Sequence, residues 1–123
     1  MPLINFTCTR AATVNDPVYV RVAGRIRILS CAWVQNGTTV AIHGSNHRTI
    51  TLKDGDANTI GTITTNTGGT ALTKGAATAI PITNPTHAVI AKDEIFELHL
   101  ASASGGAVLD GTVCLEVENA RSY

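Results

Sequence analysis

Apolar and polar residues alternate with a period of two near the C-terminal end of the chain. Phe96, Leu98 and Leu100 alternate there with Glu97 and His99. This alternation is typical of a β-strand with one face buried and the other in solvent. We therefore expect the three apolar side chains to point into a core.

The same alternation returns over residues 111–117, where Val113, Leu115 and Val117 fall on one side. The segment 101–107 between the two predicted strands consists of Ala, Ser and Gly. The sequence therefore predicts a hairpin in which both strands bury one face.

Further strands are predicted over 18–22, 25–35, 38–43, 48–52, 58–65 and 79–82, with 58–65 at a sheet edge. In the strand 25–35, simple alternation puts two sets of residues on opposite faces. One set is Ile26, Ile28, Ser30, Ala32 and Val34, and the other is Arg25, Arg27, Leu29, Cys31, Trp33 and Gln35. Asn36-Gly37 predicts a tight turn that returns over 38–43 with Val40 and Ile42 inward. The Gly-, Thr- and Ala-rich segment 66–77 is expected to be a surface loop.

Short strands with frequent turn signals predict an all-β fold with a single β-sandwich, or jelly-roll, domain over residues 17–123. Residues 1–16 are expected to form an extended N-terminal arm. Leu3, Ile4 and Phe6 make this arm apolar enough to dock on its own domain or on a neighbouring molecule.

The composition favours a protein whose surface is partly covered by other molecules. The 123 residues carry 9 basic and 9 acidic side chains, and only 15% are charged, whereas about a quarter is usual. A chain without a basic tract is not expected to bind nucleic acid. It has neither a long apolar run nor a basic amphipathic segment, so we expect no membrane contact.

Three cysteines, Cys8, Cys31 and Cys114, occur without a CxxC pair. They are expected to be buried reduced thiols, which fits assembly in a reducing cytoplasm. The first residues have neither the basic start nor the apolar run of a secretory signal.

Three short segments partly resemble known sites for small ligands. His43 and His47 are separated by turn residues, Asp54 to Asn58 only opens like a calcium loop, and 68–75 has the wrong order for a phosphate loop. No nucleophile elbow or activated cysteine is recognised. We therefore expect no metal, no cofactor and no enzymatic activity.

Four motifs along the chain resemble a known family. They are Gly24-Arg-Ile-Arg-Ile-Leu29, the segment Thr86-His-Ala-Val-Ile-Ala-Lys-Asp-Glu-Ile95, Gly105-Gly106, and Thr112-Val-Cys-Leu-Glu-Val117. Over roughly residues 24–118 the chain is similar to the jelly-roll head-decoration, or cement, proteins of tailed bacteriophages. Lys92-Asp93 stands where the family pattern more often has Gly-Asp.

The resemblance implies a homotrimer on the outer surface of a virion capsid, assembled in the host cytoplasm. Its partner would be the major capsid protein, whose neighbouring subunits the trimer would clamp together. On this interpretation Leu3, Ile4 and Phe6 contact the capsid, and Leu29, Cys31 and Trp33 lie near the subunit interface.

Two other functions stay open from the sequence. One is the trimeric head domain of a phage fibre or receptor-binding protein, which would bind a glycan or receptor. The other is a cupin-like enzyme on a jelly roll, which would hold a transition metal.

Overall fold

The computed structural model describes residues 3–12, 16–22, 24–102 and 109–119, and this part of the chain is built from β-strands with one short 3₁₀ helix. The strands are β1 (Leu3–Ala12), β2 (Asp16–Arg21), β3 (Ile26–Gln35), β4 (Arg48–Asp54), β5 (Thr59–Thr64), β6 (Ala77–Ala79), β7 (Val89–Ile90), β8 (Ile95–Ser102) and β9 (Leu109–Asn119); the 3₁₀ helix is Pro85–Ala88. Within these ranges, no helix is long and apolar enough to cross a membrane.

The strands form two antiparallel sheets. Sheet A has the order β1-β9-β3-β6, with β7 also paired to β3, and sheet B has the order β2-β8-β4-β5. The long strands pair in a nested way, β1 with β9, β2 with β8, β3 with β6 and β4 with β5. A long antiparallel ribbon rolled over itself gives this nesting, which is the jelly-roll arrangement. The predicted all-β sandwich is confirmed.

The core lies between the two sheets and is filled by the inward side chains of both. Phe96, Leu98 and Leu100 are each 1% exposed, as predicted from their alternation. Val113, Leu115 and Val117 on β9 are also buried as predicted, and Ile50 and Leu52 on β4 are buried with them. Burying one such side chain stabilises the fold by about 1.5–3 kcal/mol.

The predicted faces of β3 are wrong beyond Ile28. Its pairing with β9 shifts register between Ile28 and Ser30, because a β-bulge inserts one extra residue. The buried side chains along β3 are therefore Ile26, Ile28, Cys31, Trp33 and Gln35. The bulge reverses the alternation of the strand after Ile28. Ser30, Ala32 and Val34 therefore face outward, on the opposite side from Ile26 and Ile28.

A buried polar chain follows the bulge. The Trp33 indole Nε1 donates a hydrogen bond to Gln35 Oε1 at 2.9 Å, and Gln35 Nε2 donates to the Thr38 carbonyl oxygen at 2.9 Å. Both Trp33 and Gln35 are 0% exposed. These bonds remove the penalty that an unpaired buried amide or indole N–H would carry.

The predicted hairpin at Asn36-Gly37 is wrong. The backbone N–H groups of Asn36 and Gly37 donate to the Asp110 carbonyl oxygen at 2.7 and 3.0 Å. Strand β3 already has β9 on one side and β6 and β7 on the other, so the following segment has no edge of β3 to pair with. It crosses towards sheet B, and Ile42, predicted to be inward, is 47% exposed.

The surface loop predicted over 66–77 contributes one residue to the core. Leu72 is 1% exposed and forms a two-bond bridge with Val40, each N–H donating to the other's carbonyl oxygen at 2.9 Å. Leu72 thus packs in the core, and its bridge to Val40 holds this part of the loop against the sandwich.

The predicted hairpin between the last two strands is also wrong, although both strands exist. Strand β8 lies in sheet B between β2 and β4, whereas β9 lies in sheet A between β1 and β3. Both edges of each strand are occupied by other strands. The chain therefore crosses from one sheet to the other after β8; Gly105-Gly106 lies outside the described residues.

The backbone of Leu3–Ala12 lies along β9 of the same chain as strand β1. The register runs without a shift from Leu3 opposite Glu118 to Ala12 opposite Leu109. The division into an arm over 1–16 and a domain over 17–123 stays a prediction.

Close packing against Trp33 gives a test of this core. A Cβ atom at Gly111 would lie 2.6 Å from Trp33 Cε2 and 2.4 Å from the Val34 carbonyl oxygen. We expect Gly111→Ala to lower the free energy of unfolding by about 2–3 kcal/mol, because this crowding forces the strands apart. Chemical denaturation measures the change.

Gly24→Ala is the matched control, since a Cβ there meets nothing within 4 Å. It should change stability by no more than about 0.5 kcal/mol. Equal losses in the two variants would contradict the packing assigned to β3 and β9.

Candidate functional site

The residues predicted to lie near a subunit interface are separated by the bulge. Leu29 is 38% exposed on the outer side of sheet A, whereas Cys31 is 3% and Trp33 is 0% exposed. Only Leu29 of the three therefore offers surface to another molecule. The interface assignment itself stays a prediction.

The predicted capsid-contact residues lie on the edge strand of sheet A. Leu3, Ile4 and Phe6 are opposite Glu118, Val117 and Leu115 of β9. Their side chains lie outside the description, so the capsid contact also stays a prediction.

The outer face of sheet A carries a small uncharged patch across β6, β3 and β9, and Glu116, which is opposite Ser30, lies between this patch and exposed Leu29. Because directly opposite residues of an antiparallel pair share a face, alanines and other uncharged residues meet across β6, β3 and β9. We call this surface the sheet A face; its members are Leu29, Ala32, Val34, Ala77, Ala79 and Cys114. Ala77 and Ala79 are exposed, and Ala32, Val34 and Cys114 are half-buried.

Charged and polar pairs lie at the two ends of the sheet A face. At one end Arg27 donates to Glu118 Oε1 at 2.9 Å, and at the other Asn36 Nδ2 donates to Thr112 Oγ1 at 3.0 Å. An uncharged centre inside a polar rim is the usual composition of a protein–protein contact surface.

The outer face of sheet B has the opposite character. Thr49 donates to Thr64 between their Oγ1 atoms at 3.2 Å, and Thr51 and Thr62 share a hydrogen bond of 3.1 Å across β4 and β5. We call this set the threonine ladder. Its hydroxyl groups bond to one another, so the part of this face over β4 and β5 is polar and already paired within the chain.

The segment predicted to resemble a calcium loop is an internally bonded turn. Asp54 Oδ1 accepts from the backbone N–H groups of Asp56 at 3.0 Å and Asn58 at 2.8 Å. Asp54 Oδ2 accepts from Asn58 Nδ2 at 3.0 Å and lies 3.1 Å from His87 Nδ1. The carboxylate therefore stabilises the β4–β5 turn.

These hydrogen bonds set the protonation of Asp54. Partial burial opposes ionisation, but donors from Asn58, Asp56 and His87 favour the carboxylate and outweigh the burial. The pKa of Asp54 consequently lies below its ordinary value of 3.8.

The two histidines weighed as a metal pair lie in a loop. His43 Nδ1 accepts from the backbone N–H groups of Ser45 at 3.0 Å and Asn46 at 2.9 Å, so this nitrogen caps its own turn. Within residues 3–12, 16–22, 24–102 and 109–119, no three His, Cys, Asp or Glu side chains are placed to hold a metal ion.

A cleft of about 220 Å³ lies at the end of the sandwich beside the Asp54 turn. Its walls combine carboxylates with aliphatic side chains, and the lining residues are Asp54, Gly55, Asp56, Val89, Ile90, Ala91, Glu94 and Ile95. Pockets that enclose drug-sized ligands are larger, at about 300–1,000 Å³. The sheet A face is therefore the stronger candidate for function.

Sequence reasoning missed most of the sheet A face. Alternation correctly predicts that Ala32 and Val34 lie on the opposite face from Cys31 and Trp33. It wrongly places them on the same face as Ile26 and Ile28, because the bulge between Ile28 and Ser30 leaves no recognised signal in the sequence. Ala77 fell in the predicted loop, so its pairing with Val34 could not be anticipated.

No protein-family model matches the chain, and no curated protein matches it. Among solved structures, the chain is similar to that of the Gx strain of infectious bursal disease virus, with 15% identity, a TM-score of 0.33 and coverage of 94% of this chain and 32% of that chain. It is also similar to the VP2 subviral particle of that virus, with 17% identity, a TM-score of 0.33 and coverage of 93% and 32%. The chain thus spans about a third of the length of these structures. At so low a TM-score the likeness carries no argument about function.

Replacing Asp54 tests its role in the turn. Asp54→Ala should lower the free energy of unfolding by about 2 kcal/mol at pH 7, because several donors lose their acceptor. Since the pKa of Asp54 is lower in the folded state than in the unfolded state, its stabilisation is present above pH 3.8 and is lost as pH falls through the folded-state pKa. Urea denaturation at a series of pH values should show the gap between wild type and variant closing in acid.

Asp56→Ala is the control, because it keeps the backbone N–H that Asp54 accepts. We expect it to change stability by less than about 0.5 kcal/mol. A gap between wild type and Asp54→Ala that is the same at every pH would rule out a role for the ionised carboxylate.

The same turn contains a residue in a conformation that favours glycine. Ala57 has φ of +66°, which costs a residue with a Cβ about 1 kcal/mol. Ala57→Gly should therefore raise the free energy of unfolding by up to about 1 kcal/mol. Ala41→Gly, at another exposed position, should lower it slightly through chain entropy; a decrease in both variants would contradict the turn geometry.

Proposed function

We propose that the protein is a structural protein of a virion, without catalytic activity. In this proposal it decorates the outer surface of a phage head as a homotrimer and stabilises contacts between major capsid subunits. Assembly in the host cytoplasm belongs to the same proposal.

The observation that carries the proposal is the contrast between the two outer faces of the sandwich. The threonine ladder satisfies its hydroxyl groups within sheet B. The sheet A face instead presents alanines and Val34 in an uncharged patch, with a single charged side chain, Glu116, between this patch and Leu29. Uncharged surface at the centre of a polar rim favours contact with another protein.

The low overall charge supports the same function. Only 15% of residues are charged and the net charge is zero, which is unfavourable for a dispersed monomer. A decoration protein is present in many copies, so a modest contact per copy is multiplied on a shell.

The motifs that resemble cement proteins converge in the fold. Gly24–Leu29 leads into β3, and Ile26 is opposite Ile90 of the second motif. Ile28 is opposite Val117 of the last motif. Three motifs that are far apart in the chain therefore build one end of sheet A, beside exposed Leu29.

The proposal is tested by mixing the purified protein with undecorated capsids and imaging them. We expect added density at threefold and quasi-threefold positions. Ala79→Glu puts a charge on the sheet A face, and it should weaken either capsid binding or trimer formation about tenfold or more, because that charge would lose water in the contact.

Thr62→Glu is the matched control, since Thr62 is also exposed on an edge strand but faces outward from sheet B. It should bind and assemble like wild type, with circular dichroism confirming that both variants are folded. Leu29→Glu tests the subunit interface without disturbing the core, which a change at buried Trp33 would do. Absence of capsid density for the wild-type protein would refute the proposal.

A further inference from the structure

The two sheets of the described sandwich have four edges. In sheet A, β1 forms one edge and β6 and β7 form the other; in sheet B the edges are β2 and β5. An edge strand offers backbone N–H and C=O groups to any other strand, and natural proteins guard such edges by shortness, proline, charge, bulges or a covering segment. The four edges can therefore be compared by the protection that each has.

The edges of β5 and β6 are protected. The N–H groups of Thr83 and Asn84 donate to the Ile60 carbonyl oxygen at 3.0 and 3.1 Å, so the segment 80–84 lies against β5. A Cβ at Gly61 would lie 1.9 Å from the Pro81 carbonyl oxygen, which shows how close this cover is. At the edge of sheet A opposite β1, strand β6 has only 3 residues and strand β7 only 2.

The edge of β2 is protected by its sequence. The strand has 6 residues, of which Pro17 has no N–H to donate. Charged residues, Asp16 and Arg21, stand at its two ends, and Arg21 forms an ion pair with Asp93.

Among the described residues, the edge of β1 has only one of these devices, a single charge. The strand has 10 residues, and each one has a partner in β9 without a register shift, so no bulge bends it. Its sequence, Leu-Ile-Asn-Phe-Thr-Cys-Thr-Arg-Ala-Ala, contains no proline and a single charge, Arg10. A long, regular and nearly uncharged edge is the kind to which another strand adds.

We propose that β1 pairs antiparallel with β1 of a second copy of this chain. An antiparallel pair of identical edges needs only one surface from each molecule, which is an isologous contact around a twofold axis. With the two strands fully overlapped, Leu3 lies opposite Ala12 of the second copy, and Arg10 lies opposite Asn5. The only charges on the strands therefore do not face each other.

The two chains are compatible in charge and in sheet size. Each has a net charge of zero, so no long-range repulsion opposes their approach. Sheet A contributes β6, β3, β9 and β1 from each copy, and the continuous sheet that results is within the usual size of open sheets.

This contact is separate from the threefold contact in the proposed function. A twofold contact joins copies in pairs, so it gives dimers alone or hexamers if trimers also form. Light scattering during size-exclusion chromatography of the full chain, over a range of concentrations and with reductant because Cys8 lies on β1, counts the copies.

Dimers or hexamers support β1 pairing, whereas monomers or trimers alone overturn it. Dimers without hexamers support the pairing and contradict the trimer of the proposed function. Trimers alone support the trimer of the proposed function and contradict the β1 pairing. The two proposals can therefore fail separately.

A pair of proline variants tests whether β1 makes the contact. Successive residues of an antiparallel strand direct their N–H groups to opposite edges. Of Thr7→Pro and Cys8→Pro, one therefore removes a bond to β9, and the other removes a donor from the free edge. The variant that keeps its bond to β9 is identified by its higher melting temperature. We expect this variant, which has lost a donor from the free edge, to dissociate into half-size species at a concentration about tenfold or more higher than wild type. Retention of wild-type association by both variants overturns the proposal.

Hydrogen exchange of the wild-type protein provides a test that does not depend on either variant folding. In an unpaired edge strand, only every second amide of β1 is protected, by its bond to β9. In the pair, amides at successive positions are protected. Dilution should therefore deprotect alternate residues of β1, and exchange that is independent of concentration, at concentrations that span the dissociation of the assembly, overturns the proposal.

Discussion

The nested pairing of strands is the constraint on which the rest of this structure depends. Strands β9 and β3 in sheet A and β8 and β4 in sheet B are each paired along both edges. A strand with two partners has no edge left for the segment that follows it in the chain. The connections after β3 and β8 must therefore cross between the sheets, and each crossing adds to the enclosed core. Among the described strands, the same constraint leaves β1, β6 and β7 at the edges of sheet A and β2 and β5 at the edges of sheet B. The protection of each edge then depends on the sequence of the strand that forms it.

The bulge in β3 determines which side chains of sheet A form core and which form surface. It changes the phase of the strand so that apolar residues before and after it, Ile28 and Trp33, both point inward. Without it, Trp33 would lie on the outside and Val34 on the inside. The bulge thus completes the core and leaves alanines on the sheet A face. Leu29, at the bulge itself, is pushed outward and becomes the large apolar residue of that surface.

The two outer faces of the sandwich differ in chemistry, although the chain as a whole has no net charge. Sheet B carries hydroxyl groups that bond to one another across β4 and β5, so these groups already have partners within the chain. Sheet A carries aliphatic surface and, at β1, backbone groups along a regular edge. The proposed function, contact with other proteins, rests on this difference between the two faces. The Asp54 turn and the cleft beside it lie at one end of the sandwich, where the carboxylate stabilises the β4–β5 connection.

The sequence by itself determined the fold class and the inward residues of the regular strands. Phe96, Leu98 and Leu100 were predicted correctly because a strand of period two with one buried face leaves a local signal. The sequence also showed that Asp54 to Asn58 only opens like a calcium loop, and in the structure these residues form an internally bonded turn. Only the tertiary structure decided which strands are neighbours, where β3 changes phase and hence what the sheet A face contains. Pairing joins residues as distant as Ile26 and Asn119, and the choice among partners depends on which edges the rest of the chain leaves open, which no local pattern records.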